Sequence, residues 1–153
     1  MVLSQKSQYA VRAVFELAKR YGTGPTPATR IAECQFVPVR FLENILGQLR
    51  QAGIVESVRG KAGGYRLTRP PARIAVGEIV RLLEGPIAVL DCDTPASDPR
   101  GARRDCPLRP GCVLLPVWER AHSAMMDVFD TTSFKDLVDQ EQASEHRIID
   151  YAI

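Results

Sequence analysis

The stretch VPVRFLENILGQLRQAGIVESVRGKAGGYRLTRP, running from Val37 to Pro70, decides the fold. Its first part, Val39 to Ala52, reads as an amphipathic helix. Leu42, Ile45, Leu46 and Leu49 fall at i, i+3, i+4 and i+7 and make one apolar stripe. Arg40, Glu43, Asn44, Gly47, Gln48 and Gln51 are left facing outward. Gly53 stops the helix. The runs Ile54 to Val58 and Tyr65 to Thr68 are rich in β-branched and aromatic residues, and they flank the glycine-laden tip Arg59-Gly60-Lys61-Ala62-Gly63-Gly64. That pattern predicts a hairpin with several residues at positive φ. A helix followed by a basic hairpin predicts a winged helix-turn-helix, mostly α with a small β wing.

Working outward, composition limits the alternatives. With 153 residues, 45% of them hydrophobic and 25% charged, the chain is neither disordered nor fibrous, and it can hold a core and an appendage. The start, Met1 to Gln8, lacks the apolar core of a signal peptide, and no uncharged apolar run approaches the ~20 residues of a membrane span, so a cytoplasmic location is expected. Net charge is +2 but unevenly spread: residues 1–75 hold 12 Lys and Arg against 4 Glu, net +8, and residues 76–153 hold 8 against 14 Asp and Glu, net −6. A basic half carrying Arg59, Lys61, Arg66 and Arg69 on its hairpin suits a polyanion partner, because phosphate contacts release counterions. A merely solvated basic face would account for the charge alone.

Upstream, Ala10, Ala13, Val14, Leu17, Ala18 and Tyr21 recur at helical spacing and predict a helix from about Ser7 to Tyr21, with Arg12, Glu16, Lys19 and Arg20 on its other side. Gly22-Thr23-Gly24-Pro25 ends it. Thr26 as N-cap and Pro27 at the first helical position predict a short helix to about Glu33. Cys34 to Val37 is the turn, and Pro38 can open the next helix because its missing N–H is not needed there. Helix, short turn, helix is the DNA-reading arrangement, with the second helix in the major groove. On that placement Arg40 reaches guanine or phosphate, Glu43 accepts from cytosine and Asn44 pairs with adenine. Arg59 and Lys61 lie along phosphates or enter a narrow minor groove. Arg50, Gly60 and Gly63 complete the expected DNA-contacting set.

Downstream, Val76 to Glu84 predicts a helix closed by Gly85-Pro86. Residues 91–111 contain four prolines and two glycines and read as a long loop, a length that in small domains goes with function or disorder. Cys92, Cys106 and Cys112 lie in or just after it, separated by 13 and five residues. Metal or redox chemistry suits such cysteines better than disulfides in a cytosolic chain. The close Cys-x-x-Cys pairs of structural zinc are absent. Leu114, Val117, Trp118, Ala121, Met125, Val128 and Phe129 then continue at helical spacing, and the stripe suits either pairing with a second copy or packing within the chain. Ser133 can cap a last short helix with Phe134, Leu137 and Val138. The expected organisation is a DNA-binding domain over residues 1–85, a cysteine loop over 86–112, a long dimerisation helix and short terminal helix over 113–140, and a frayed tail over 141–153.

Several of these segments also resemble a known family. Arg40-Phe41-Leu42-Glu43-Asn44-Ile45-Leu46, Leu49 to Val55, Ser57-Val58-Arg59-Gly60, Gly63-Gly64-Tyr65-Arg66-Leu67 and Val76-Gly77-Glu78-Ile79 resemble the Rrf-two family of bacterial transcription regulators, over about residues 1–125. The resemblance implies a dimeric winged-helix regulator with Arg59 and Glu43 on DNA. It also implies an iron–sulfur cluster of the 2Fe-2S or 4Fe-4S type held by Cys92, Cys106 and Cys112, since cluster-bearing members carry three cysteines in this loop. The first gap is longer than the family's, Leu115 stands where some members place a histidine ligand, and Gln8 stands where others use an acidic one. The fourth ligand is unassigned, with His122 as a candidate. Cys34, in the expected turn, reads as a packing residue. The expected function is a homodimeric, sequence-specific regulator on double-stranded DNA with a palindromic operator, sensing redox, nitric oxide or iron status. A cluster-free regulator answering to a small thiol or a partner protein is the alternative. Two histidines and isolated serines supply no nucleophile and base set, so no enzyme is expected.

Overall fold

The computed structural model describes residues 3–60, 62–85, 87 and 111–150, with side chains given up to residue 144. Helix α1 (Gln5–Lys19) starts ahead of the expected Ser7 because Ser4 caps it, its hydroxyl accepting from the Ser7 N–H at 3.2 Å. Its apolar face, Ala10, Ala13, Val14 and Leu17, is buried at the centre of the core. Around it pack α2 (Ala28–Gln35) and α3 (Val39–Gln51), the two helices of a helix-turn-helix. Leu42, Ile45, Leu46 and Leu49 of α3 are all buried, as their spacing predicts, each contributing ~1.5–3 kcal/mol of transfer free energy.

The turn between α2 and α3 is tighter than the sequence suggests. Cys34 belongs to the last turn of α2, and Phe36 takes up a left-handed backbone at φ 52° with its ring 86% exposed. Closure of α2 by the Val37 N–H donating to the Ala32 carbonyl at 3.0 Å requires that reversal, and Val37 itself is buried.

The wing is a two-stranded antiparallel sheet of β1 (Val55–Val58) and β2 (Gly64–Leu67), paired Val55 with Leu67, Glu56 with Arg66, Ser57 with Tyr65 and Val58 with Gly64. Thr26 does not cap α2. It is buried and bridges Tyr65, with N–H to carbonyl bonds of 2.8 Å in both directions, so the loop after α1 adds a third backbone to the hairpin edge. Pro27 takes the N-cap position without a side-chain bond.

A single 3-10 turn (Pro71–Arg73) leads to α4 (Val76–Glu84), closed by Gly85 at φ 78°. Helix α5 (Leu115–Thr131) lies on α4 through the Arg81–Asp130 ion pair at 2.7 Å and buries none of its own residues. Helix α6 (Phe134–Asp150) is far longer than the short element expected, continuing through residues where a frayed tail is predicted. Its first residue, Phe134, is fully buried in the winged-helix core, and Val138 follows one turn later. The Phe134 N–H donates to Ile74 and the Val76 N–H to Thr132, both at 3.0 Å. These bonds stitch the α5–α6 corner to the start of α4. An apolar residue just after a Ser cap gives no local sign that it will join a core 60 residues back in the chain.

Candidate nucleic-acid interface

Helix α3 presents Arg40, Glu43, Asn44 and Arg50 to solvent along the face opposite its buried leucines. Among the described residues neither Arg40 nor Arg59 forms an ion pair or hydrogen bond, so both guanidinium groups are available to an anion. Asn44 is differently placed: its side-chain oxygen accepts from Gln48 Nε2 at 2.6 Å, one helical turn on. Pairing with a base would require that acceptor to be shared or exchanged. Arg50 reaches the other way, its Nη1 donating to Ser57 Oγ at 3.4 Å, and so links the end of the helix to β1.

The hairpin tip is built by glycine. The Gly63 N–H donates to the Gly60 carbonyl at 2.9 Å, and Gly60 adopts φ 116°. A Cβ on Gly63 would overlap the Val58 carbonyl oxygen and stand 2.8 Å from that of Gly60, so this glycine shapes the tip whatever else it touches. Lys61 lies outside the described residues. Of the basic residues counted on the hairpin, Arg66 and Arg69 are already partnered: Arg66 Nε meets Glu56 at 2.7 Å across the strands, and Arg69 bonds Glu78 of α4. Arg59 therefore carries the described positive charge at the tip.

Beneath the helix-turn-helix sits a buried polar cluster that the sequence places on the outer face. Glu16 is 2% exposed and accepts from Arg20 Nε at 2.7 Å and from Gln35 Nε2 at 2.9 Å. Burial pushes its carboxyl up, but the bonds from Gln35 and Arg20 and the charges of Arg20 and Lys19 outweigh that and hold it below the ordinary range. Arg20 also donates through Nη2 to Cys34 Sγ at 3.8 Å. The cluster joins the last turn of α2 to α1. Among the cysteines, Cys92 and Cys106 lie outside the described residues. Cys112 is a free, half-buried thiol whose carbonyl accepts from the Leu115 N–H at the entry to α5. His122 is half-buried on α5 and already interacts with another group. No group of three or more metal-ligating side chains occurs among the described residues, and no helix there is long and apolar enough to cross a membrane.

A helix-turn-helix with an exposed polar second helix, followed by a glycine-shaped basic hairpin, defines a winged-helix transcription regulator that binds DNA. The chain belongs to the Rrf2 family: the family's model, described as an iron-dependent transcriptional regulator, matches residues 3–140. It is 33% identical over 151 residues to the HTH-type transcriptional regulator CymR of Bacillus subtilis, covering 99% of each chain. The solved structure of that CymR, the global cysteine regulator of B. subtilis, superposes with a TM-score of 0.73 over 92% of this chain and 98% of the other. An IscR structure from T. potens gives 0.74 at 33% identity, over 94% of this chain and 90% of the other. The family is one of regulators rather than enzymes.

Proposed function

We propose that the protein is a homodimeric, sequence-specific regulator that sets two α3 helices into successive major grooves of a palindromic operator. Arg40, Glu43 and Asn44 face the duplex, Arg50 reaches it by exchanging its bond to Ser57 for a phosphate, and the tip residues Arg59, Gly60, Lys61 and Gly63 lie on the flanking backbone or minor groove. The observation that carries this reading is the pair of exposed guanidinium groups of Arg40 and Arg59 on the helix and hairpin, neither with a partner among the described residues. Homodimerisation is supported by α5, in which Val117 and Val128 are 53% and 61% exposed and nothing is buried within the chain.

For the sensing group, three cysteines within 21 residues of sequence are a donor set suited to iron and sulfide, and Cys112 is free and partly accessible. Cys92, Cys106 and Cys112 would hold the cluster, which supplies redox and nitric-oxide reactivity when bound. The chain's own part is to join α5, which follows Cys112 directly, to the DNA-binding core through Phe134 at the head of α6. A change in that loop thereby biases the position of α3, a coupling of the usual ~1–3 kcal/mol. A cluster-free thiol sensor is the second reading, favoured by the end-to-end likeness to CymR.

Both levels are tested with anaerobically purified protein and a duplex selected by it from a random pool. Bound iron and sulfide with visible absorbance are expected, and protein that stays colourless after reconstitution removes the cluster and leaves the thiol reading. Operator affinity should fall steeply with salt, and Arg59→Ala should cost ~1–3 kcal/mol. Binding indifferent to salt and to Arg59 overturns the DNA-contact assignment.

A further inference from the structure

Beside the first turn of α3 lies a cleft of about 350 Å³ lined by Lys6, Arg40, Phe41, Asn44 and Ile45. Four of these come from α3, and Lys6 comes from α1. Among the described residues no carboxylate lines the cleft, and neither Lys6 nor Arg40 has a side-chain hydrogen-bonded or ionic partner. Two like charges line one recess, and no described residue neutralises them. A recess with two cations in its lining suits an anion.

The recess is also rigidly placed. The Ser4 N–H donates to Glu84 of α4 at 2.7 Å, Gln8 Nε2 donates to the Leu3 carbonyl at 2.9 Å, and Ser7, next to Lys6, is fully buried. Lys6 thus lies in the first turn of α1 between Ser4, tied to α4, and buried Ser7, with its long side chain half-buried. A compact ammonium on a flexible stem suits a phosphate oxygen rather than the planar geometry of a base edge.

We propose that Lys6 binds a DNA phosphodiester next to the bases faced by Arg40 and Asn44, a backbone contact from α1 that fixes how far α3 enters the groove. This rests on the DNA-binding reading above and adds a contact outside the helix-turn-helix and the wing. A phosphate contact carries no sequence information, so its loss weakens all duplexes alike.

The test compares full-length wild type, Lys6→Ala, Lys6→Arg and Arg59→Ala on the pool-selected duplex and on a scrambled duplex across a range of sodium chloride. Lys6→Ala is expected to weaken both duplexes by the same factor, roughly fivefold at 0.1 M salt, and to lower the salt slope by about one. Lys6→Arg is expected to restore both. The proposal is overturned if Lys6→Ala leaves affinity and slope unchanged while Arg59→Ala still weakens binding, an outcome in which the DNA-binding reading stands. It is also overturned if only the selected duplex is affected, since that marks base readout. Failure of the wild type to bind any duplex removes both.

Discussion

Gly64→Ala is expected to destabilise the protein by ~3 kcal/mol and to detach the wing from the loop after α1. Replacing glycine by alanine in a strand ordinarily gains stability, because it narrows the unfolded ensemble and leaves the strand backbone undisturbed. The opposite sign is expected here because a Cβ at position 64 would overlap the carbonyl group of Thr26 and stand 2.7 Å from Pro27 N. Those atoms are backbone, and they cannot swing aside as a side-chain tip can. Relief requires the two reciprocal Thr26–Tyr65 bonds of 2.8 Å to open, each worth ~1 kcal/mol, with buried Thr26 left unsatisfied in addition. Gly47→Ala is the control: nothing lies within 4 Å of its Cβ position in α3, so it should stabilise by ~1 kcal/mol. Urea unfolding of the two variants should move in opposite directions, and a Gly64→Ala midpoint at or above wild type would refute the close-approach account.

The double glycine illustrates what a sequence does and does not disclose. That Gly63-Gly64 ends a hairpin was legible, because turn chemistry is local. The partner that makes Gly64 indispensable is Thr26, nearly forty residues earlier, and no periodicity reports it. The same division runs through the molecule. Helix α4 falls on Val76–Glu84 as its pattern predicts, and α3 departs from expectation by one residue. Both are amphipathic segments whose burial follows from their own spacing. Phe134 and the length of α6 escaped because their burial depends on a distant surface. In the candidate interface, exposure of Arg40, Glu43 and Asn44 follows from facing away from the apolar stripe, and that of Arg59 from its place at the hairpin tip. Partnering does not: Arg66 and Arg69 count as free cations in the sequence and are neutralised by Glu56 and Glu78. Lys6 carries no such signal in the sequence, because its relation to α3 exists only once α1 and α3 cross.

Glu16 is the sharpest such case, and it carries the second large effect. Glu16→Ala is expected to cost ~2–3 kcal/mol at neutral pH, because a buried carboxylate holding two hydrogen bonds, one from a guanidinium, is lost together with its packing. Arg20 is partly exposed and can rehydrate, which keeps the loss below that of a fully buried pair. Since folding lowers the carboxyl's proton affinity, the folded state binds fewer protons at this site than the unfolded chain. Its contribution is therefore complete above the ordinary glutamate range and disappears as pH falls through the lowered folded value. Denaturation measured from pH 7 downward should show the gap between wild type and Glu16→Ala shrinking in acid, and a gap constant with pH would contradict a charged Glu16. Because this carboxylate accepts from Gln35 at the end of α2 and also holds Arg20, which itself donates to Cys34 there, the variant should also loosen the angle at which α3 is offered. Operator affinity of the still-folded Glu16→Ala protein is thus expected to fall although position 16 is buried away from solvent. Unchanged affinity would mean that the turn, with Val37 buried beneath it, holds α3 without help from the cluster.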